Sequence, residues 1–127
     1  DHFVKRKREI GARYTDQLRQ IKGLQLPLER TPYAENIYWV YGTVLDNDLQ
    51  ITADEMRRRL GELKIGTRPF FWPMHEQPIF RKMGLISSQT YPVAERLARR
   101  GFYIPSGLAL KDSQIDRVGH SLRSIIL

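Results

Sequence analysis

A chain of 127 residues with 41% apolar and 28% charged side chains has the make-up of one soluble globular domain, long enough to close a single core and too short for a two-domain enzyme. No apolar run reaches membrane-spanning length and no charged-then-apolar leader opens the sequence; without cysteine there is no disulfide framework, which suits a reducing cytoplasm, the expected location. The net charge of +7 raises nucleic acid as a partner, yet the first 22 residues alone hold seven basic and three acidic side chains (7 − 3 = +4), so solvated helix surface ranks ahead of it.

Residues 1–22 read as an amphipathic helix, with Phe3, Ile10, Tyr14, Leu18 and Ile21 on one stripe and Lys5 to Arg8 toward its exposed side. Gly23 stands where a left-handed cap would end it. Leu24 to Leu28, interrupted by Pro27, is at best a short edge strand. Ile37 to Leu45 is the clearest strand, rich in aromatic and β-branched residues and closed by Asp46-Asn47-Asp48, with both faces largely apolar. Tyr38 and Trp39 within it suit core packing before a ligand site.

Thr52 to Lys64 predicts a second helix, with Thr52 and Glu55 at capping-box spacing and Met56, Leu60 and Leu63 inward. Thr67 to Phe71 extends as a strand, Ile79 to Met83 makes a single helical turn stopped by Gly84, and residues 85–91 form a polar loop. Pro92 opens a third helix running to Arg100, with Val93 and Leu97 inward and Glu95 paired to Arg99 outside. The arginines of this helix and of Arg57-Arg58-Arg59 are expected mostly on solvated faces. Phe102 to Ile104 is a short strand, and Asp112 caps a last helix with Ile115, Val118, Leu122 and Ile125/Ile126 inward and Gly119 as a weak point. The sum is an α+β two-layer domain: a small sheet of about three strands packed by about four helices, with strand order and direction open.

Gly66 to Gly84, GTRPFFWPMHEQPIFRKMG, concentrates the chemistry. Pro69, Pro73 and Pro78 exclude a regular helix from Thr67 to Gln77 and favour a stiff, shaped loop. Aromatic walls with one histidine, one arginine and one amide are what a small-molecule pocket needs; the same composition also suits an aromatic plug in the core. A zinc site is not expected, since cysteine is absent and His2, His75 and His120 lie far apart in sequence. No phosphate-cradling glycine loop, nucleophile elbow or RNA-binding aromatic-glycine signature is present.

The run Thr67-Arg-Pro-Phe-Phe-Trp-Pro-Met-His-Glu-Gln-Pro resembles the Pro-x-His-x-Gln-Pro loop in the small C-terminal domain of DegT–StrS type, pyridoxal-phosphate-dependent sugar-nucleotide aminotransferases, perosamine synthases above all. Asn36-Ile-Tyr-Trp-Val-Tyr-Gly, Tyr91-Pro-Val-Ala-Glu-Arg and Gly101-Phe-Tyr-Ile-Pro-Ser-Gly-Leu fit in the same order. Nothing resembles the family's large domain with its Schiff-base lysine, and a chain opening at Asp1 rather than Met is what a domain cut from a longer polypeptide would show.

The resemblance implies that residues 1–127 are one small domain, with 1–22 as the connector helix from a missing large domain. The parent enzyme, a homodimer, would move an amino group from glutamate to a nucleotide-linked keto-sugar, while this chain alone would be inactive and bind no pyridoxal phosphate. It implies no catalytic residue here and a substrate-binding set of His75, Arg68, Phe70, Phe71, Trp72, Gln77 and Tyr103. His75 would reach over the cleft, Arg68 would hold a carboxylate or phosphate by its fork, and the aromatics would wall the sugar pocket with at least one serving as core. The alternative is a stand-alone basic α+β module that binds nucleic acid or a protein.

Overall fold

The computed structural model describes residues 1–86 and 89–127; Ser87 and Ser88, inside the loop expected over 85–91, lie outside the described residues. In chain order the elements are α1 (His2–Leu18), β1 (Leu24–Gln25), β2 (Arg30–Thr31), β3 (Ala34–Glu35), β4 (Tyr41–Leu45), α2 (Ala53–Glu62), β5 (Arg68–Pro69), a 3₁₀ turn (Met74–Glu76), α3 (Pro78–Lys82), α4 (Pro92–Arg100), β6 (Gly101–Ile104) and α5 (Asp112–Ile126). The main sheet has four strands in the order β1-β4-β6-β5, one more than expected, and every pairing is antiparallel; β2 and β3 form a separate hairpin. Among the described residues no helix is long and apolar enough to cross a membrane.

The register of β4 against β6 pairs Tyr41 with Ile104 and Thr43 with Phe102. With Leu45, these residues join Tyr14 and Leu18 of α1, Met56 and Leu60 of α2, and Ile115 and Leu122 of α5 in one buried core. The two central tyrosines keep their hydroxyls bonded: Tyr14 Oη donates to the Pro105 carbonyl at 2.7 Å, and Tyr41 Oη lies 2.8 Å from Thr15 Oγ1. Burial pushes Tyr41 up to about 12. Between α1 and α5, Arg13 grips Asp116 (2.6 Å) and Gln17 bonds the same carboxylate.

The strand over 37–45 forms only from Tyr41, because Tyr38 takes a positive φ of 50° and turns its ring inward onto Gly11, where an added Cβ would lie 2.5 Å from that ring. Tyr38 is therefore core, while Trp39 is 65% exposed. The α1 stripe holds for Ile10, Tyr14, Leu18 and Ile21 but not for Phe3, which is exposed in the first turn of the helix; the helix ends at Leu18, and Gly23 takes its left-handed conformation (φ 81°) after one further turn. Lys7, expected outside, points its ammonium to the Trp39 carbonyl (2.8 Å) and the Ser106 carbonyl (2.6 Å). Desolvation lowers its pKa.

Thr52 caps α2 by accepting from the Glu55 amide (3.1 Å), but the Glu55 carboxylate turns to Arg58 and Arg59 instead of completing a box, and these hold it down to about 2. Leu63 and Val93 are exposed: Leu63 is the C-cap residue of α2, and Val93 stands in the first turn of α4, whose buried residue is Ala98. Asp112 is the first residue of α5 rather than its cap and pairs with Arg6 and Arg13; Lys111 precedes it, its amide bonded to Gln114 Oε1 at 2.8 Å. Gly119 is buried where α1 approaches, and a Cβ there would meet Gln17 Oε1 at 1.9 Å, so its smallness serves helix packing. Arg100 is not solvated surface: its guanidinium donates to the carbonyls of Leu45, Asp46, Leu49 and Ile51 and ties down the loop after β4.

On the sheet's other face β4 and β6 present Gly42, Val44, Gly101 and Tyr103, and Phe70 lies across the two glycines. A Cβ at Gly101 would sit 2.4 Å from the Leu97 carbonyl oxygen and 2.5 Å from the Phe70 ring. Gly101→Ala is therefore expected to destabilise the fold by about 2 kcal/mol, read by chemical denaturation, and to loosen Phe70; an unchanged denaturation midpoint would show that the ring and helix end can yield.

Candidate functional site

The proline-braced segment divides into two parts. Arg68 and Pro69 form β5, the sheet edge, where Arg68 registers against Tyr103 and Pro69 against Phe102. Phe70 stacks on the Tyr103 ring (centroids 4.6 Å apart), and Phe71 meets the same ring edge-on at 6.4 Å. Thus Arg68, Phe70, Phe71 and Tyr103 come together. An open groove of about 640 Å³ runs beside them, lined by Val40, Thr67, Arg68, Tyr103 and Ser106, a size within the roughly 300–1,000 Å³ of small-molecule sites. The Arg68 guanidinium is exposed and makes no ion pair among the described residues. Phe71 is 79% exposed, whereas half-buried Phe70 acts as the aromatic plug.

The second part is built around His75. Pro73 leads into the 3₁₀ turn, which drops the imidazole inward until it is only 9% exposed. Its Nε2 lies 3.0 Å from Glu95 Oε1 and 3.9 Å from Glu76 Oε1, and its ring packs on Tyr91 at 4.8 Å. Glu76 is held by Arg99 at 2.8 Å, and the Arg99 guanidinium also lies over the Trp72 ring, 5.1 Å from its centroid. The Gln77 amide donates to the Trp72 carbonyl (3.2 Å) and Arg81 donates to the His75 carbonyl (3.1 Å), so both brace the loop. Shallow depressions flank the ring, one lined by Glu76, Arg81, Thr90 and Glu95, the other by Pro73, Met74, Leu85, Tyr91 and Ala94.

The expected Glu95–Arg99 side-chain pair does not form. Glu95 Oε1 instead accepts from the Tyr91 amide (2.8 Å) and faces His75, while Arg99 crosses to Glu76. The Tyr91 amide and His75 hold Glu95 below the usual carboxylate range. Glu76, Tyr91, Glu95 and Arg99 are the site residues that sequence reasoning did not single out. The one available signal was a glutamate four residues past Tyr91 at the head of a helix, in position to reach back to the free Tyr91 amide.

His75, Glu76 and Glu95 are also the one group among the described residues with metal-ligand spacing, their ligand atoms lying within 4.8 Å of one another. Both carboxylates already have cationic or N–H partners, and the Arg99 charge opposes that of an ion. The arrangement reads as a charge-balanced latch joining the loop to α4.

Because the folded-state pKa of Glu95 is depressed, its contribution is fully present above its ordinary value of 4.5 and is lost as pH falls through the lower folded value. Glu95→Gln should flatten that part of the acid-unfolding curve and free the loop, followed through Trp72 fluorescence. An acid limb identical to that of the unaltered chain would show that the latch carries no pH dependence.

The chain is 26% identical to a GDP-perosamine synthase of Vibrio cholerae, the match covering 98% of the chain and 33% of the relative. It is 31% identical to a dTDP-3-amino-3,4,6-trideoxy-alpha-D-glucose transaminase of Micromonospora megalomicea, over 99% of the chain and 33% of that protein. Its structure superposes on the aminotransferase TlmJ from Streptoalloteichus hindustanus with a TM-score of 0.81 and 28% identity, over 95% of this chain and 31% of that one. The chain thus spans about a third of the length of the relatives it matches. Since the profile of the DegT/DnrJ/EryC1/StrS aminotransferases matches residues 1–123, nearly the whole chain, the protein belongs to that family.

Proposed function

We propose that this chain is the C-terminal small domain of a pyridoxal-phosphate-dependent enzyme that moves an amino group from glutamate to a nucleotide-linked keto-sugar. The observation that carries the reading is a family match over residues 1–123 that spans only a third of each relative, together with an arginine and an aromatic wall left open on the sheet edge. Two relatives bear the names of enzymes for GDP- and dTDP-linked sugars, which supports a nucleotide-sugar substrate. Residues 1–22 would be the connector from the large domain, and the parent a homodimer.

When bound in the parent, the cofactor supplies an electron sink; the protein supplies position and charge. Lys7 holds its ammonium against two carbonyls, and Lys5, Lys22, Lys64, Lys82 and Lys111 lie on exposed surface. That disposition supports a reactive amine supplied by the large domain. Arg68 binds a carboxylate or phosphate by its fork, Phe71, Trp72 and Tyr103 wall the sugar, and His75 faces it from the loop. Phe70 and Gln77 serve the site by fixing that wall.

The test is a chimera in which residues 1–127 replace the matching third of the Vibrio cholerae enzyme. It should regain aminotransferase activity, and Arg68→Gln within it should lower kcat/KM about tenfold through loss of a charge-assisted pair. The isolated chain with pyridoxal phosphate and borohydride should show no stoichiometric adduct on any one lysine. A folded but inactive chimera, or trapping at a single lysine of the isolated chain, would overturn the reading.

A further inference from the structure

His75 has two ring nitrogens with different surroundings. Nε2 faces Glu95 Oε1 at 3.0 Å, with Glu76 Oε1 at 3.9 Å. Nδ1 has no hydrogen-bond partner among the described residues, and His75 lines both flanking depressions. An ionised carboxylate only accepts hydrogen bonds. Glu95 Oε1 already takes the Tyr91 amide at 2.8 Å, which keeps it oriented and ionised. A neutral imidazole facing that oxygen must place its proton on Nε2, and Nδ1 is then left with a lone pair.

We propose that Glu95 is a positioning residue: it holds His75 as the Nε2–H tautomer, so that Nδ1 accepts a hydrogen bond from a hydroxyl of the neutral sugar ring. The inference rests on the sugar-nucleotide reading and narrows it. The groups facing the imidazole are Glu76, Glu95, Arg81, Tyr91 and, through Glu76, Arg99. Glu76 and Glu95 are matched by Arg81 and Arg99, so the selection rests on the lone pair: an acceptor nitrogen repels the oxygen of a phosphate or carboxylate, which has no proton to give it. The same nitrogen selects a hydroxyl donor. Anion binding is left to Arg68, on the sheet edge, and the two parts of the segment divide the ligand between them: charge at the edge, hydroxyl at the loop.

Nitrogen NMR of the 127-residue chain at neutral pH tests this. His75 should show a protonated Nε2 and an unprotonated Nδ1, and millimolar GDP-mannose should shift Nδ1 while GDP alone does not. Glu95→Gln, whose amide either donates or accepts, should mix the tautomers and, in the chimera, raise KM for the nucleotide sugar about fivefold, the loss of one neutral hydrogen bond. A protonated Nδ1 in the unaltered chain, an equal shift with GDP, or no shift with either ligand would overturn the inference. The tautomer is read without any turnover, so an inactive chimera with the expected spectrum would count against the aminotransferase reading alone.

Discussion

The pairing of β4 with β6 is the constraint on which the rest of the molecule depends. Its register faces Tyr41, Thr43, Leu45, Phe102 and Ile104 toward the helices, and on the reverse side it aligns Gly42 with Tyr103 and Val44 with Gly101. A slip of one residue would exchange the two faces, exposing the core set and burying the bare glycines. Those glycines leave the reverse face low enough for the Phe70 ring to lie across it, and Phe70 on Tyr103 fixes where the proline-braced segment leaves the sheet. The site therefore begins as a consequence of strand register, before any of its polar groups has a partner.

From that anchor the segment behaves as a lever with two arms. The sheet-edge arm carries Arg68 and exposes Phe71 beside the groove, and the loop arm turns inward at Pro73. His75 and Glu76 then meet Glu95 and Arg99, side chains of the helix that runs directly into β6. The loop is closed back onto the helix that leads into β6, the strand paired with the one from which it was launched. Burying a histidine and a glutamate in this way is tolerable because each has a partner of matching polarity; deleting one would leave another desolvated and alone.

The basic surplus is distributed by the same logic. Arg100 binds four carbonyls in the loop after β4, Lys7 joins the Trp39 and Ser106 carbonyls, and Arg13 clamps α1 to α5 through Asp116. Each cation satisfies backbone or carboxylate oxygens that irregular segments leave without a ladder partner. Part of the basic surplus is thus structural, and the groove-facing guanidinium of Arg68 stands apart from it.

Local rules were enough to read much of this chain. The apolar spacing in α1, α2 and α5 marked Ile10, Tyr14, Leu18, Met56, Leu60, Ile115 and Leu122 as core, and Pro92 and Gly101 marked the approximate ends of α4, because periodicity and punctuation act within a few positions. The prolines likewise declared a stiff aromatic loop. Tertiary packing decided the rest. Tyr38 abandoned a good strand sequence because Gly11 offered its ring a buried seat, which left Trp39 outside. Glu95 and Arg99, a plausible surface pair by spacing, were drawn apart by His75 and Glu76, which are near only in space. Sequence alone marked the proline-braced segment and its side chains; the folded chain added Glu76, Tyr91, Glu95 and Arg99 and decided which groups face outward, because partners about twenty residues away set the orientation of each polar group.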